Sequence, residues 1–546
     1  MFKYLTILII GFSSLLIGQN KYFIYFKDKG MDNKLSLNKS SDQYFEALNK
    51  LSPHAIERRM KVMGEEFISY EDLPVYQNYK DELINLGIKI VHDLSWFNSV
   101  SAYLSEKQVI QIKSLPFVKT VEPVKKLYFR KEIIPNDELM KSAAEGPLFE
   151  YGFSFNQLNL SDVPIVQSKG ITGSGVLIGI LDTGFDWKEH ESLKERKVIA
   201  EYDFVFNDSV TANQSNDIPT QDSHGTFVFS VIGGYKDSVM IGPAFNASYI
   251  LAKTEDIRSE TQIEEDNYAA ALIWMESFGV DITTSSLGYN EFDSPEASYT
   301  YSDMNGNTTI VTKAANLAFD RGVSTFTSAG NEGNNKWHYI VAPADGFNMI
   351  AVGAVDQLGV KAAFSSFGPT FDGRIKPDVM AMGVNCYGAT AHTTDKYGFG
   401  NGTSFAAPIA SGIGALLLSA FPHLKNTQIR NIILEASANS VNPNDQIGYG
   451  LISAKSTIEY PNLELNNNSY VLHKIILEDK VIPYSVKITY SYDDIAVPDD
   501  QMINKNNIEY TFTFPQILDD KEISFHITYA DSLNNNYRMP KNGEYN

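Results

Sequence analysis

Four zones of hydrophobic patterning follow one another along the 546 residues. Residues 5–17 form an apolar run behind Lys3, interrupted by Gly11, Ser13 and Ser14, which has the make-up of a secretory signal cut at Gly18-Gln19. The run is short for a bilayer span, and no other stretch reads as one, so residues 1–19 are expected to be removed. Between 20 and 130 the pattern switches repeatedly between the strand and helix periods, which predicts a small α+β unit. Its strands are expected at 22–26, 88–91, 97–104 and 118–121. Helical spacing covers 44–63, with Ser52-Pro53 opening a second helical turn, and 106–114.

Residues 131–150 are polar and carry Pro135, Gly146 and Pro147, which is the chemistry of an exposed linker open to proteolysis. From 151 to 459 continuous apolar strands (176–181, 249–252, 349–352) and a more polar one (322–327) alternate with helical stretches (264–278, 308–321, 403–421). That alternation predicts an α/β fold with a doubly wound, mostly parallel sheet and helices on both faces. Residues 460–546 return to short strand-like runs at 471–477, 485–490 and 509–514, a β-rich C-terminal appendage.

Composition narrows the partners. There are 66 acidic against 45 basic residues, a formal net charge of −21, which argues against nucleic acid as the main ligand. Cys386 is the sole cysteine, so no intramolecular disulfide and no two-thiolate metal site can form. Its apolar setting reads as a small buried residue.

Four segments carry candidate chemistry. Asp182 follows an apolar strand in Leu181-Asp182-Thr183-Gly184, and ligand groups in open parallel sheets gather at the carboxyl ends of strands. His224, in Asp222-Ser223-His224-Gly225-Thr226, stands at a helix start that Ser223 or Asp222 could cap, where an imidazole can act as a base. Asn331, in Ala329-Gly330-Asn331-Glu332-Gly333, offers an amide donor for an oxyanion. Ser404, in Gly402-Thr403-Ser404-Phe405-Ala406, sits in the positive field of a helix N-terminus. Taken singly, each has a plainer reading: cap histidine, turn asparagine, N-cap serine. Asp-Thr-Gly is also an aspartic-protease motif, but that chemistry needs a second carboxylate motif and none is present.

Taken together, in the order Asp, His, Asn, Ser, the segments over 151–459 resemble the subtilisin-like serine proteases, and the whole chain resembles secreted subtilases of the Bacteroidetes type. Ser285-Ser286-Leu287-Gly288, Phe364-Ser365-Ser366-Phe367-Gly368 and Lys376-Pro377-Asp378-Val379 belong to the same resemblance. It implies a Ser404 nucleophile, a His224 base, an Asp182 orienter and an Asn331 oxyanion donor. It also implies that Ser286, Leu287 and Gly288 form an edge strand for substrate backbone and that Ala329 and Gly330 line the first specificity pocket. Residues 20–130 resemble a propeptide that assists folding, inhibits the enzyme and is cut away within 131–150. The implied protein is a self-processing zymogen, exported to the cell envelope or the medium, whose partners are protein or peptide substrates and its own propeptide. Two departures stand out: Phe227, Phe229 and Ser230 replace the usual histidine and small residues, and Phe405 replaces the usual methionine.

An α/β-hydrolase esterase is the first alternative, since 402–406 is one residue from a nucleophile elbow. That fold places its Asp and His after the serine, where His423, His473 and His526 lie in no motif-like context. A degenerate protease kept as a binding module is the second; a missing triad residue would mark it, and none is missing. No cofactor is required and no metal ligand is assigned. Calcium is left open without ligands, because 303–307 lacks the spacing of a calcium loop. Glu332 favours basic substrate residues only slightly, because solvent screens it.

Overall fold

A computed structural model describes residues 20–30, 37–124, 126–127, 149–257, 263–289, 298–466, 468–492, 495–515 and 522–545. The expected signal at 1–19 lies outside them, as does nearly all of the expected processing linker. Contacts divide the chain into two compact units, Met1–Leu48 with Ile68–Val124, and Asn49–Phe67 with Lys125–Asn546.

The first unit is the expected α+β element. Its antiparallel sheet contains β1 (Asn20–Phe26), β2 (Ile90–Leu94), β3 (Ser99–Leu104) and β4 (Val118–Pro123) in the order β2-β3-β1-β4. Ile24, Phe26, Val100, Leu104 and Val121 fill its core with Leu83 and Ile112 from the helices Gln77–Asn85 and Glu106–Lys113. The second strand starts later than expected, at Ile90 rather than 88, because the Ile88 N–H still closes the preceding helix by donating to the Leu83 carbonyl at 3.1 Å. The helix Gln77–Asn85 has no counterpart in the pattern reading: Asn78, Lys80, Asp81 and Glu82 leave it only a thin apolar stripe.

The helix α1 (Pro53–Met63) is where the pattern placed it. Ser52 caps it by accepting the Ala55 N–H at 3.1 Å, and Pro53 takes the first position, where a missing N–H costs nothing. By its contacts, however, it goes with the second unit. Arg59 donates to both oxygens of Glu276, at 2.8 and 2.5 Å, and Arg58 pairs with the same carboxylate. All three side chains are buried. At the start of α1, His54 Nε2 lies 3.0 and 3.1 Å from the two carboxylate oxygens of Asp281.

The second unit is built on seven strands: β5 (Leu177–Asp182), β6 (Lys197–Asp203), β7 (Ser248–Lys253), β8 (Ile282–Ser285), β9 (Ser324–Ser328), β10 (Ile350–Val355) and β11 (Val379–Met382). They lie in the order β11-β10-β9-β8-β5-β7-β6, and every pairing is parallel. The sheet therefore grows in both directions from β5, which puts the carboxyl end of β5 at the switch point where such sheets place their ligands.

Alternation along β5 sorts the helices. Ile178 and Ile180 join the cluster that contains Phe227 and Val231 of α2 (Ser223–Gly233) and Ile409 and Ile413 of α5 (Thr403–Ala420). Gly179 faces the other way, toward Met275 of α3 (Glu265–Phe278), which packs on α4 (Ile310–Asp320). The helices thus cover both faces, as expected. The helix α5 is long and apolar enough to cross a membrane, but 89% of that window is buried inside the fold. Cys386 is buried, as its setting predicts.

Residues beyond 460 form two four-stranded sheets, antiparallel throughout. The first contains β12 (Asn462–Asn466) and β13 (Ser469–Ile475), and Leu472, Ile488, Tyr510, Phe512 and Ile527 make the core of this region.

Candidate active site

Asp182 is the last residue of β5 and is fully buried. Its Oδ1 accepts the Thr183 N–H at 2.7 Å and the Thr183 hydroxyl at 3.2 Å, and it lies 2.7 Å from His224 Nδ1. A carboxylate on Nδ1 fixes the tautomer, so that Nε2 is the nitrogen able to take a proton. His224 is the second residue of α2. The expected side-chain cap of this helix does not form: Asp222 stands at the cap position, but its carboxylate takes the Asn213 N–H at 2.9 Å and lies 2.9 Å from His392 Nε2. Burial raises the Asp222 carboxyl above the usual range. The close fit of α2 against the end of β5 depends on Gly225. A Cβ there would stand 2.2 Å from the Gly184 carbonyl oxygen and 3.0 Å from the Asp182 Cβ.

Ser404 is the second residue of α5 and only 4% exposed. Its hydroxyl donates to the Ser286 carbonyl oxygen at 3.2 Å. The two aromatic departures meet at this point. The Phe227 and Phe405 rings lie 4.5 Å apart, and Phe405 lies 5.8 Å from the His224 ring, so the pair walls the imidazole beside the start of α5.

Asn331 follows β9. Its Oδ1 accepts the Thr403 N–H at 2.9 Å and the Thr403 hydroxyl at 3.0 Å, and the Gly330 N–H donates to the same Thr403 Oγ1 at 3.2 Å. Thr403 thereby orients the amide so that its Nδ2 donors turn away from Thr403. In the motif Gly402-Thr403-Ser404 the threonine, as well as the serine, thus serves the site. Gly330 has φ +107°, and a Cβ there would come within 2.9 Å of Ser366 Oγ and Val341 Cγ2.

β8 ends at Ser285, and the expected edge segment Ser286, Leu287 and Gly288 follows it directly and is paired in none of the sheets among the described residues. Ser286 is turned onto α5, and the Leu287 carbonyl accepts the Ser328 hydroxyl at 3.3 Å. Gly288 and Gly330 nevertheless both back onto Val341, so the two segments expected to meet substrate converge on one residue, with Ala329 buried between. In the acidic turn at 303–307, Asp303 accepts the Thr300 N–H at 2.7 Å and the Thr300 hydroxyl at 2.8 Å.

An imidazole held by a buried carboxylate, a serine in the positive field of a helix N-terminus and an oriented amide donor are the components of acyl transfer. Residues 173–450 match the model of the subtilase family, and residues 21–138 match that of the peptidase S8 propeptide domain of Bacteroidota. The chain is 29% identical to subtilisin NAT of Bacillus subtilis subsp. natto over 382 residues, 70% of this chain and 86% of that protein. It is 27% identical to the thermophilic serine proteinase of Bacillus sp. (strain AK1) over 410 residues, 74% and 89% respectively. Among solved structures, the epidermin leader peptide processing serine protease of Staphylococcus aureus has the same fold, at 14% identity and a TM-score of 0.56 over 80% of this chain and 98% of that one.

Proposed function

This chain belongs to the subtilase family and is a serine endopeptidase with its own propeptide, and we propose that Asp182, His224 and Ser404 form its catalytic triad in an exported, self-processing zymogen. The observation that carries the triad is the 2.7 Å contact between His224 Nδ1 and Asp182 Oδ1 at the switch point of the sheet, beside the helix that begins with Thr403 and Ser404.

In this reading Ser404 Oγ attacks the scissile carbonyl carbon and gives its proton to His224 Nε2. The imidazolium is stabilised by Asp182, and the tetrahedral oxyanion takes hydrogen bonds from Asn331 Nδ2 and the Ser404 N–H. His224 returns the proton to the leaving amine. Water then attacks the acyl-enzyme by the same route and frees Ser404. Ser286, Leu287, Gly288, Ala329 and Gly330 line the path of the substrate chain. The apolar run at 5–17 and the propeptide match support export and a zymogen cut between 131 and 150.

The test is labelling by an active-site fluorophosphonate, with cleavage of an unmodified peptide as a second readout. Ser404→Ala is expected to lose both. Labelling of Ser404→Ala at the wild-type stoichiometry removes Ser404 from the mechanism. Ester hydrolysis without peptide hydrolysis in the wild type favours the esterase alternative.

A further inference from the structure

We propose that His423, His473 and Glu464 form a Zn²⁺ site that ties the C-terminal strands to the helix carrying Ser404. One ligand atom from each of the three side chains lies within 4.8 Å of the others. No part of the proteolytic reading uses them.

The placement follows from register. Asn462 and Glu464 are two apart on β12, so they share a face, and Asn462 stands opposite His473 on β13. Glu509, opposite Ile475 on the next strand, is on that face too. His423 comes from the turn just beyond α5, and its ring lies 4.4 Å from that of His473.

The second contacts of the two histidines have the pattern that holds metal ligands. His423 Nε2 lies 2.7 Å from Asn462 Oδ1, which accepts its N–H and leaves Nδ1 with a lone pair. His473 Nδ1 lies 3.2 Å from Glu509 Oε1, and its Nε2 lies 3.1 Å from Glu464 Oε2. A neutral imidazole has one N–H and cannot satisfy both carboxylates. With the proton on Nδ1 toward Glu509, Nε2 and the Glu464 carboxylate are two electron-pair donors facing one another, an arrangement that a cation between them resolves. The carboxylate–histidine pair on one side and the amide–histidine pair on the other are the outer supports that orient imidazole ligands. Two nitrogens and one carboxylate suit Zn²⁺ rather than Ca²⁺ or Mg²⁺, with water in the fourth position. Bonds of about 2.0–2.2 Å require the three side chains to draw together, which rotation of Glu464 at the half-exposed rim permits.

The experiment uses the full chain carrying Ser404→Ala, so that it is not degraded, equilibrated with Zn²⁺ alone and dialysed. The expected result is that the parent binds one more Zn²⁺ per chain than the His423→Gln, His473→Gln double variant or the Glu464→Gln variant. Glu509→Gln is expected to keep the site but weaken it by about 10- to 100-fold. Circular dichroism melts in chelator show which variants are folded, and Glu464→Gln, which keeps size and shape, serves where the double variant is not. The expected gain in melting temperature on adding Zn²⁺ is confined to chains with the intact cluster. A parent that binds no Zn²⁺, or folded variants that bind as much as the parent, would overturn the proposal.

Discussion

The Ser286 hydroxyl donates to the carbonyl oxygen of Ser404 at 2.7 Å. In a regular helix that carbonyl would receive the N–H of the residue four places on, which here is Pro408 and has none. Ser286 therefore supplies the donor that the proline removes, and the Ser404 hydroxyl answers by donating to the Ser286 carbonyl. The segment beside the expected substrate path and the first turn of α5 are joined in both directions.

Ser286→Ala leaves the buried Ser404 carbonyl short of a donor, which is expected to cost about 1–3 kcal/mol in urea unfolding and to lower kcat/KM. Pro408→Ala restores an N–H at the right position. The penalty of Ser286→Ala should then shrink in the Pro408→Ala background; equal penalties in both backgrounds would falsify the link.

Asn331→Ala is expected to lower kcat by about 100- to 1,000-fold with little change in KM, a range carried over from a subtilisin. Thr403→Val should act in the same direction and less strongly, since it removes one of two bonds that orient the amide. Steady-state kinetics on a peptide substrate separates the two, and an unchanged kcat in Asn331→Ala places that residue outside the site.

Arg58 and Arg59 both pair with the buried Glu276 carboxylate. Glu276→Ala takes the shared countercharge from two buried guanidinium groups, which keep backbone acceptors such as the Val280, Arg321 and Phe67 carbonyls, at an expected cost of about 3–5 kcal/mol in the uncut Ser404→Ala chain. Both arginines lie within the propeptide match, so a chain purified after their removal should show no such loss. Urea melts of the two forms make the comparison.

The hydrogen bond to Asp281 raises the His54 pKa above 6.5, against the opposing effect of burial. A raised folded-state pKa means that the stabilisation is complete below 6.5 and disappears as pH rises through the raised value. The hold of α1 is therefore expected to loosen toward alkaline pH. Melting temperatures of the uncut Ser404→Ala chain at about pH 5.5 and about pH 8.5 should differ by more in the parent than in His54→Gln; an identical difference in both excludes His54.

Wild type and Ser404→Ala, each expressed without other proteases, test self-maturation. Wild type should begin between residues 131 and 151, and Ser404→Ala should keep its N-terminal unit. Identical processing of both assigns the cut to another enzyme.

The parts legible in the sequence are those whose signal is local. Asp182 and Ser404 sit at a strand end and a helix start that the hydrophobic pattern marks directly. The relations that were not legible depend on register or on distance along the chain. Arg58 and Arg59 look like the wet side of an exposed helix, and only the fold sets them against Glu276, more than 200 residues on. His423, Glu464 and His473 share no motif, and strand pairing alone brings the last two together. The bond from the Ser286 hydroxyl to the Ser404 carbonyl was likewise not legible, because nothing local ties a serine at 286 to a proline at 408.

Asp281 is gripped from two sides. His54 takes both of its carboxylate oxygens, while Oδ2 also accepts the Leu177 N–H at 2.9 Å, and the Asp281 N–H returns a bond to the Leu177 carbonyl at 2.8 Å. Leu177 opens the strand that ends in Asp182. A slip of that strand would move Asp182 out of reach of His224 and, at the opposite end, turn the Asp281 carboxylate away from His54. Docking of α1 and the register of the strand that carries Asp182 thus share one carboxylate, at the end of that strand remote from the chemistry.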